Sequence, residues 1–254
     1  MKKNMKAIVL AAGKGTRLQT ENCDLPKVMR LANGKPLLHY VLESIGFIAP
    51  EDTVIVVGYQ KQYVMDGFPG YVFAEQAQQL GTGHAVMCAA EALGDYDGPV
   101  LVCCGDMPLL KRSTYEAMAE AYDKEDCACV ILTGTTDLPL PYGRVLRDEN
   151  GAYLRIVEEK DCTPAQLAIT ELNAGVYVFD AKTLFACLGE LKNENAQGEY
   201  YLTDVPEIMM KKGCRVVACR QELGKQIIGV NTPAQLAQTE AAVITPPAKP
   251  VRAR

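Results

Sequence analysis

Short runs of hydrophobic residues, rich in valine and isoleucine, recur along the whole chain. Runs that are continuous rather than alternating are typical of β-strands buried on both faces of a sheet. Between several of these runs, hydrophobic residues recur at helical spacing, which predicts helices over residues 36–45, 84–93 and 115–122. The alternation of strands and helices favours an α/β fold with a doubly wound, mostly parallel sheet. The runs themselves predict strands at residues 7–10, 53–57, 100–103, 128–132, 176–179 and 215–218.

The second half of the chain is less regular and adds antiparallel structure to this core. Residues 142–160 predict two strands joined by a turn at residues 148–151. Residues 200–213 predict a helix that begins at Thr203 or Asp204, has Pro206 in its first turn and ends at Gly213. We expect residues 1–244 to form one domain. The last segment, residues 245–254, reads TPPAKPVRAR and cannot form a core, so we expect a disordered tail.

Composition and charge exclude several classes of partner. The 254 residues include 26 basic and 31 acidic residues, so there is no basic excess of the kind that nucleic acid binding requires. No hydrophobic stretch is long enough to span a membrane or to serve as a secretory signal. None of the ten cysteines forms a C-x-x-C pair, and His39 and His84 lack metal-ligand spacing. We therefore expect a cytoplasmic protein with reduced thiols that binds neither nucleic acid nor membranes.

The first predicted strand ends in a glycine turn rich in positive charge, within IVLAAGKGTRLQTENCDLPKV at residues 8–28. It is not a P-loop, and Leu18 stands where the dinucleotide fingerprint G-x-G-x-x-G needs its third glycine. Glycines let backbone N–H groups approach an anion, and cationic side chains add donors, which predicts a phosphate-binding loop. A tight turn with solvated basic side chains is the alternative. The residues concerned are Gly13, Lys14, Gly15, Arg17 and Lys27.

Two other polar positions suit a ligand. Asp106 follows a predicted strand and Gly105, and the carboxyl ends of strands are where α/β sheets bind ligands. Its alternative role is that of a turn or helix-capping aspartate. The segment 75–86 supplies amide side chains and a helix start with free N–H groups, a set that can both donate and accept hydrogen bonds. A polar loop before a helix is the alternative for this segment, whose candidate residues are Gln76, Gln79, Gly81 and Thr82.

These motifs together resemble those of the sugar-phosphate nucleotidyltransferases, whose signature is G-x-G-T-R followed by P-K. Further motifs make the resemblance strongest to the uridyltransferase domain of bacterial N-acetylglucosamine-1-phosphate uridyltransferases. The resemblance covers residues 5–243 and implies a Rossmann-like fold of the nucleotide-diphospho-sugar transferase type, with a small antiparallel sugar-binding subregion. The further motifs are EQAQQLGTGHAV (75–86), CGDMPLL (104–110), YGRV (142–145), IVEEKD (156–161), ELNAGVYVF (171–179), NENAQGEYYLTDV (193–205) and GVNTPAQL (229–236).

The resemblance implies a reaction in which a sugar-1-phosphate attacks the α-phosphorus of UTP and releases pyrophosphate. It implies that Arg17 and Lys27 are catalytic, and that Asp106 and Asn231 bind Mg²⁺. From the sequence alone, Asn231 has the alternative role of a cap for a helix over residues 233–243. The substrate-binding positions it implies are Leu10, Ala11, Gly13, Lys14, Gly15, Gln76, Gln79, Gly81, Thr82, Gly105 and Asn231, with Gly143, Glu158, Asn173, Tyr201 and Thr203 on the sugar side.

Three departures from the family pattern bear on the substrate. Cys104 stands where the family has an aromatic residue, and Pro141 replaces a glycine beside the sugar-binding motif. The loop between Arg17 and Lys27 is slightly longer than usual. The hexapeptide repeats of the family's left-handed β-helix are absent, so we expect neither its acetyltransferase activity nor the trimer that this helix builds.

Other functions stay open at this point. Another sugar-1-phosphate, or dTTP or CTP in place of UTP, would keep the same fold and chemistry. A non-catalytic sugar-nucleotide sensor is a different class of protein, but it would be expected to lose its cationic and metal-binding positions first. A NAD-dependent enzyme is disfavoured, because the third glycine of the fingerprint is missing after both G-x-G sequences.

Overall fold

A computed structural model describes residues 4–18, 24–136, 138 and 140–244. The predicted tail at residues 245–254 and most of the loop between Arg17 and Lys27 lie outside the described residues, so those two expectations stay predictions. The strands are β1 Lys6–Leu10, β2 Leu31–Ala32, β3 Lys35–Pro36, β4 Thr53–Val57, β5 Val72–Glu75, β6 Pro99–Cys104, β7 Cys129–Thr135, β8 Arg144–Arg147, β9 Tyr153–Val157, β10 Glu171–Asp180 and β11 Val216–Gln221. The helices are α1 Leu37–Ser44, α2 Lys61–Gly67, α3 Thr82–Cys88, α4 Ala90–Leu93, α5 Arg112–Glu125, α6 Pro164–Leu167, α7 Ala181–Leu188, α8 Val205–Lys211 and α9 Pro233–Ile244.

A single large sheet organises the described part of the chain, with strand order β11-β7-β10-β6-β1-β4-β5. β1 pairs in parallel with β4 and β6, β4 with β5, and β7 with β11. β10 is antiparallel to both of its neighbours, β6 and β7. The β8–β9 hairpin joins the sheet at the start of β10. The sheet is therefore mostly parallel with an antiparallel addition, which confirms the predicted fold class.

Helices cover both faces of this sheet, as the strand sequences require. On one face, Val41 of α1 and Tyr115 and Met118 of α5 pack against the sheet in one hydrophobic cluster. On the other face, Val86 of α3 and Leu184 of α7 belong to a second cluster. Each central strand contributes alternate side chains to the two clusters, so its residues are apolar on both faces. This is the doubly wound arrangement expected from the sequence.

Local structure differs from prediction in a few places. The helix predicted over residues 84–93 is divided at Ala89 into α3 and α4, and it begins two residues earlier, at Thr82. The predicted helix after Thr203 starts as a 3-10 turn at Leu202–Asp204 before α8. Pro206 lies in the first turn of α8, and Gly213 follows the helix with a positive φ of 81°, both as predicted. No helix in the described ranges is long and apolar enough to cross a bilayer.

Candidate active site

Two adjoining cavities open at the carboxyl ends of β1 and β6, the edge at which parallel strands of α/β sheets bind ligands. The first cavity has a volume of about 240 Å³ and the second about 270 Å³. They share a wall that consists of Leu10, Thr82, Cys104 and Asp106. A ligand in one cavity would therefore lie directly beside a ligand in the other.

Most of the predicted site residues line these two cavities. The exceptions are Lys14, Gly15, Arg17, Gly105 and Tyr201. The predicted residues in the first cavity are Leu10, Thr82, Asp106, Gly143, Glu158, Asn173, Thr203 and Asn231. Those in the second are Leu10, Ala11, Gly13, Lys27, Gln76, Gln79, Gly81, Thr82 and Asp106.

The glycine loop leaves β1 and approaches Lys27 closely. Gly15 has a φ of +64°, and a Cβ there would lie 2.6 Å from Cβ of Lys27, so a larger residue does not fit. Gly13 has open space where a side chain would begin. Lys14 and Arg17 are exposed, and neither makes a hydrogen bond or ion pair within the described ranges. The loop thus presents free cationic groups and accessible backbone beside the second cavity.

At the shared wall, the ammonium of Lys27 lies between two oxygen atoms. It forms an ion pair with Asp106 Oδ2 and donates a hydrogen bond to Asn231 Oδ1 at 2.9 Å. The side chains of Lys27 and Asp106 are only 17% and 16% exposed, so both charges are largely removed from water. Residues separated by 79 and 204 positions in the sequence thus meet at one point.

The surroundings of Asn231 leave its side chain available to this cluster. Its Nδ2 donates to Gly229 O at 3.3 Å, which turns Oδ1 toward Lys27. Val230 N donates to Asp106 O at 2.9 Å and holds this segment against the β6 loop. The start of α9 is capped by the hydroxyl of Thr232, which accepts from Gln235 N. The capping role that the sequence left open for Asn231 is therefore performed by its neighbour.

The donor set at the shared wall fits Mg²⁺. This ion prefers oxygen ligands and commonly takes only one or two of them from the protein. Asp106 offers a carboxylate and Asn231 a carbonyl oxygen. The ammonium of Lys27 lies between these two groups, so their position already accommodates a cation. Within the described ranges there is no cluster of three or more His, Cys, Asp or Glu residues that could hold a metal ion.

In the second cavity, Gln76 lies at the end of β5 and is 4% exposed. Its Nε2 lies 3.0 Å from Gly81 O and 3.1 Å from His84 Nδ1. Gln79 donates to Gln76 O at 3.2 Å, so the two predicted amide residues contact each other. The hydroxyl of Thr82 accepts from Leu202 N, which holds the start of α3 against the segment after Tyr200.

In the first cavity, buried polar groups face a pocket beside β10. Burial raises the pKa of Glu158, whose carboxylate accepts from the hydroxyl of Thr203 at 3.0 Å. Asn173 donates to the hydroxyl of Tyr177 and accepts from Gly175 N, so both of its side-chain polar groups have intramolecular partners. At Gly143, a Cβ would lie 2.6 Å from Cγ2 of Ile156, which explains why this position is glycine.

Tyr201 is placed differently from the expectation that it lies at the sugar-binding pocket. It lines a third cavity of about 450 Å³ on the far side of Glu158, not the first cavity. Its hydroxyl donates to Asp161 Oδ2 at 3.2 Å and accepts from Gln197 at 2.9 Å. Burial raises the pKa of Tyr201 to about 12, so the phenol is neutral at physiological pH. Its predicted contact with substrate stays a prediction.

Some residues at the site were not among those predicted. The hydroxyl of Tyr142 accepts from Gly229 N at 2.7 Å and so ties the YGRV motif to the segment that carries Asn231. Burial raises the pKa of Tyr142 well above its usual value. His84 contacts Gln76, as described above. Tyr142 and His84 both lie inside motifs that carry the resemblance, and that position is the only signal in the sequence that marks them.

Comparisons with known proteins match the chain to one protein family and to several named relatives. Residues 7–166 match the profile of the family described as "MobA-like NTP transferase domain". The chain is similar to proteins named "Bifunctional protein GlmU", at 44% identity to that of Lactococcus lactis over 93% of this chain and 51% of the relative. The corresponding figures for Pelobacter propionicus are 44%, 92% and 51%, and those for Clostridium novyi are 42%, 92% and 51%. The chain thus spans about half the length of the curated relatives it matches.

A solved structure supports the fold alone. It is a Bacillus anthracis protein, provisionally assigned as a glucose-1-phosphate thymidylyltransferase and crystallised with sucrose. The two chains superpose with a TM-score of 0.71 over 94% of each chain, at 20% identity. The mostly parallel sheet and its antiparallel addition are therefore an architecture that has been observed experimentally.

Proposed function

The chain belongs to the MobA-like NTP transferase domain family, and from this premise we propose that it is a sugar-1-phosphate uridylyltransferase. It would join UTP to N-acetylglucosamine-1-phosphate, forming UDP-N-acetylglucosamine and pyrophosphate. One observation carries the proposal: two cavities share a wall, and Lys27, Asp106 and Asn231 meet at that wall. Two substrates in adjoining cavities would have their reacting phosphates beside this cluster.

The chemistry requires little more than positioning and charge neutralisation. The phosphate of the sugar-1-phosphate is already ionised at neutral pH, so it attacks without a general base. A bond forms from its oxygen to the α-phosphorus while the bond from that phosphorus to the bridging β-phosphate oxygen breaks. Pyrophosphate leaves with that electron pair. Fixed cations at the reacting phosphates stabilise the charge that develops there.

The chain's own cations suit this task. Lys27 projects at the shared wall and would neutralise charge at the reacting phosphate. Lys14 and Arg17, exposed on the glycine loop, would bind the outer phosphates, and arginine matches phosphate oxygens with two parallel hydrogen bonds. Asp106 and Asn231 would hold Mg²⁺. Bound there, the ion would supply further neutralisation of phosphate charge.

The two cavities suggest a division between the substrates. The second cavity, with Gln76 and the start of α3, would hold uridine. The first cavity, with Glu158 and Asn173, would hold the sugar, since carboxylate and amide groups pair with sugar hydroxyls. Cys104 belongs to the shared wall and lines both cavities, so its replacement of an aromatic residue bears on both substrates.

Pyrophosphate release tests the proposal. Purified protein is incubated with Mg²⁺, UTP and a panel of sugar-1-phosphates, and the panel is repeated with dTTP and CTP. We expect fast release only with UTP and N-acetylglucosamine-1-phosphate. Release with another pair would retain the nucleotidyl transfer chemistry and overturn the assigned substrates. No release by folded protein that still binds a UDP-sugar would instead identify a sensor.

A further inference from the structure

His84 has a contact that ties it to the recognition of the nucleobase. It lies on the first turns of α3, half-buried, and its Nδ1 is 3.1 Å from Nε2 of Gln76. Gln76 lines the second cavity, and its backbone N–H donates to Val57 O at 2.8 Å, which fixes the residue at the end of β5. Which of the two polar atoms of its side-chain amide faces the cavity depends on the neighbours of that amide.

The neighbours of the Gln76 amide decide that orientation. Nε2 lies 3.0 Å from Gly81 O, and a backbone carbonyl oxygen only accepts hydrogen bonds. The nitrogen of the amide must therefore be on the Gly81 side. Its second N–H then points at His84 Nδ1, which must be the unprotonated, accepting nitrogen of the ring. Within the described ranges, Oε1 of Gln76 makes no hydrogen bond, and it remains free for a ligand in the second cavity.

We propose that His84 is a specificity-determining residue, which holds the Gln76 amide with its oxygen toward the base and so selects uracil over cytosine. This inference rests on the proposed function, because it assumes that the second cavity holds the base of a nucleoside triphosphate. It deepens that function by assigning the selection of the base to His84, which contacts Gln76, the residue expected to bind the base.

The two pyrimidines differ in hydrogen-bonding character at ring positions 3 and 4, and a contact of Gln76 with position 3 distinguishes them. Uracil carries an N–H at that position, which donates to an oxygen such as Oε1 of Gln76. Cytosine carries an unprotonated nitrogen there, whose lone pair is repelled by the same oxygen. A rotated amide would reverse this preference, because it would present N–H groups instead. Gly81 O opposes that rotation in every case, and His84 Nδ1 opposes it as long as the imidazole carries its proton on Nε2.

Of these two acceptors, only His84 can be changed by mutation, because Gly81 contributes its backbone. Without Nδ1, one N–H of the side-chain amide of Gln76, a residue that is only 4% exposed, has no acceptor, and leaving it unpaired carries a cost. Rotation then becomes less unfavourable, since one of the two repulsive contacts that it would create is gone. The expected consequence is a loss of discrimination, with the fold preserved.

The experiment compares His84→Phe, which removes the acceptor and keeps a ring, with His84→Asn, whose Oδ1 restores an acceptor near the position of Nδ1. His39→Phe, a change at the other histidine of the chain, on α1, is the matched control. For each variant, kcat/KM is measured for UTP, CTP and N3-methyl-UTP, which lacks the N–H. Binding of the three nucleotides is measured separately by calorimetry.

We expect wild type to exclude CTP and N3-methyl-UTP. In His84→Phe the preference for UTP over CTP should fall roughly tenfold, the value of one hydrogen bond, while KM for the sugar phosphate stays unchanged. His84→Asn should retain most of the preference, and His39→Phe all of it.

An equal loss for UTP and CTP, or an unchanged ratio in folded His84→Phe, would overturn the role of His84. If wild type binds UTP without turnover, the proposed function fails, and the calorimetric ratios still decide the role of His84. If it binds none of the three nucleotides, both fail.

Discussion

Replacing Lys27 by methionine tests the arrangement at the shared wall. Methionine has a similar length and no charge, so Lys27→Met leaves Asp106 and Asn231 in place and removes the cation between them. Without a divalent ion, the carboxylate of Asp106 loses its ion-pair partner, and Oδ1 of Asn231 loses its donor. The variant should therefore be less stable than wild type, and its turnover should be much lower.

The magnitude follows from the burial of the pair. Exposed ion pairs contribute about 0–1 kcal/mol, whereas removing one partner of a fully buried pair costs about 3–5 kcal/mol. Side-chain exposures of 17% and 16% place this pair between the two cases. We expect the free energy of unfolding to fall by about 2 kcal/mol at neutral pH in the absence of divalent ions. For a chain of this size, that corresponds to a decrease of roughly 5 °C in Tm.

Magnesium should reverse this loss in the variant. Once Lys27 is gone, Asp106 and Asn231 are free to bind the ion, and binding to the folded state alone raises its stability. A roughly thirtyfold excess of Mg²⁺ over its Kd would recover about 2 kcal/mol. Wild type should respond less, because its ammonium competes for the same two oxygens. Turnover should stay two to three orders of magnitude, roughly, below wild type even with saturating Mg²⁺.

The assay is urea denaturation of wild type, Lys27→Met and the double variant Lys27→Met/Asp106→Asn, each with and without Mg²⁺. The double variant is the control, since it lacks both the ammonium and the carboxylate and should not respond to the ion. The reasoning is refuted if Lys27→Met is as stable as wild type without Mg²⁺ and gains nothing when the ion is added. It is also refuted if the double variant gains as much as the single one.

Three further predictions concern charge. Arg17 is exposed, so Arg17→Ala should lower kcat/KM by roughly a hundredfold or more in a pyrophosphate assay and leave Tm unchanged; a fall in Tm would favour a structural role for the loop. Burial, together with Glu207 and Asp161, raises the pKa of Asp204 to about 6, so its ionised form destabilises the fold above that pH. Asp204→Asn should therefore raise the free energy of unfolding at pH 8 by about 1 kcal/mol, after a discount for solvent screening, with no gain below about pH 4. Burial alone would raise the pKa of Glu171, but hydrogen bonds from Arg147 and Thr133 lower it below the usual 4.5. The hydrogen bonds to ionised Glu171 stabilise the fold above the pKa of this group in the unfolded state, and this contribution is lost as pH falls through its pKa in the folded state. Glu171→Gln should therefore weaken the acid-induced loss of stability in urea titrations.

The order and type of the main elements were predictable from the sequence because they depend on local patterns. Continuous apolar runs mark strands that are covered on both faces. The turn at residues 148–151 is marked by its turn-forming residues, and in the structure Gly151 N donates to Asp148 O at 3.0 Å. The direction of β10 was not predictable in this way. An apolar run buried on both faces has the same pattern in a parallel and in an antiparallel strand. Only the path of the chain between β9 and β10 sets that direction.

In the candidate site too, features that depend on local sequence were predictable and contacts between distant residues were not. The glycine loop has a local signature, so a glycine turn with cationic side chains after the first strand could be anticipated. The meeting of Lys27 with Asp106 and Asn231 depends on contacts across 79 and 204 positions, and only the family resemblance indicated it. His84 has no motif of its own, because it is a single histidine without ligand spacing, and only its place inside the motif at residues 75–86 marks it. Its contact with Gln76 appears only once α3 is packed beside β5.

The position of β10 also has a consequence for how the chain is made. This strand separates β6 from β7 in the sheet, and it begins at Glu171, after the segment 7–166 that matches the family profile. Until residues 171–180 have left the ribosome, β6 and β7 both have an unpaired edge, and such edges are sites of aggregation. A nascent chain that stalls before this point, or a fragment cut there, would hold the glycine loop and Asp106 without a closed sheet to support them. The pairing of β10 with β6 and β7, which becomes possible only after residues 171–180 are made, is therefore needed to close the sheet.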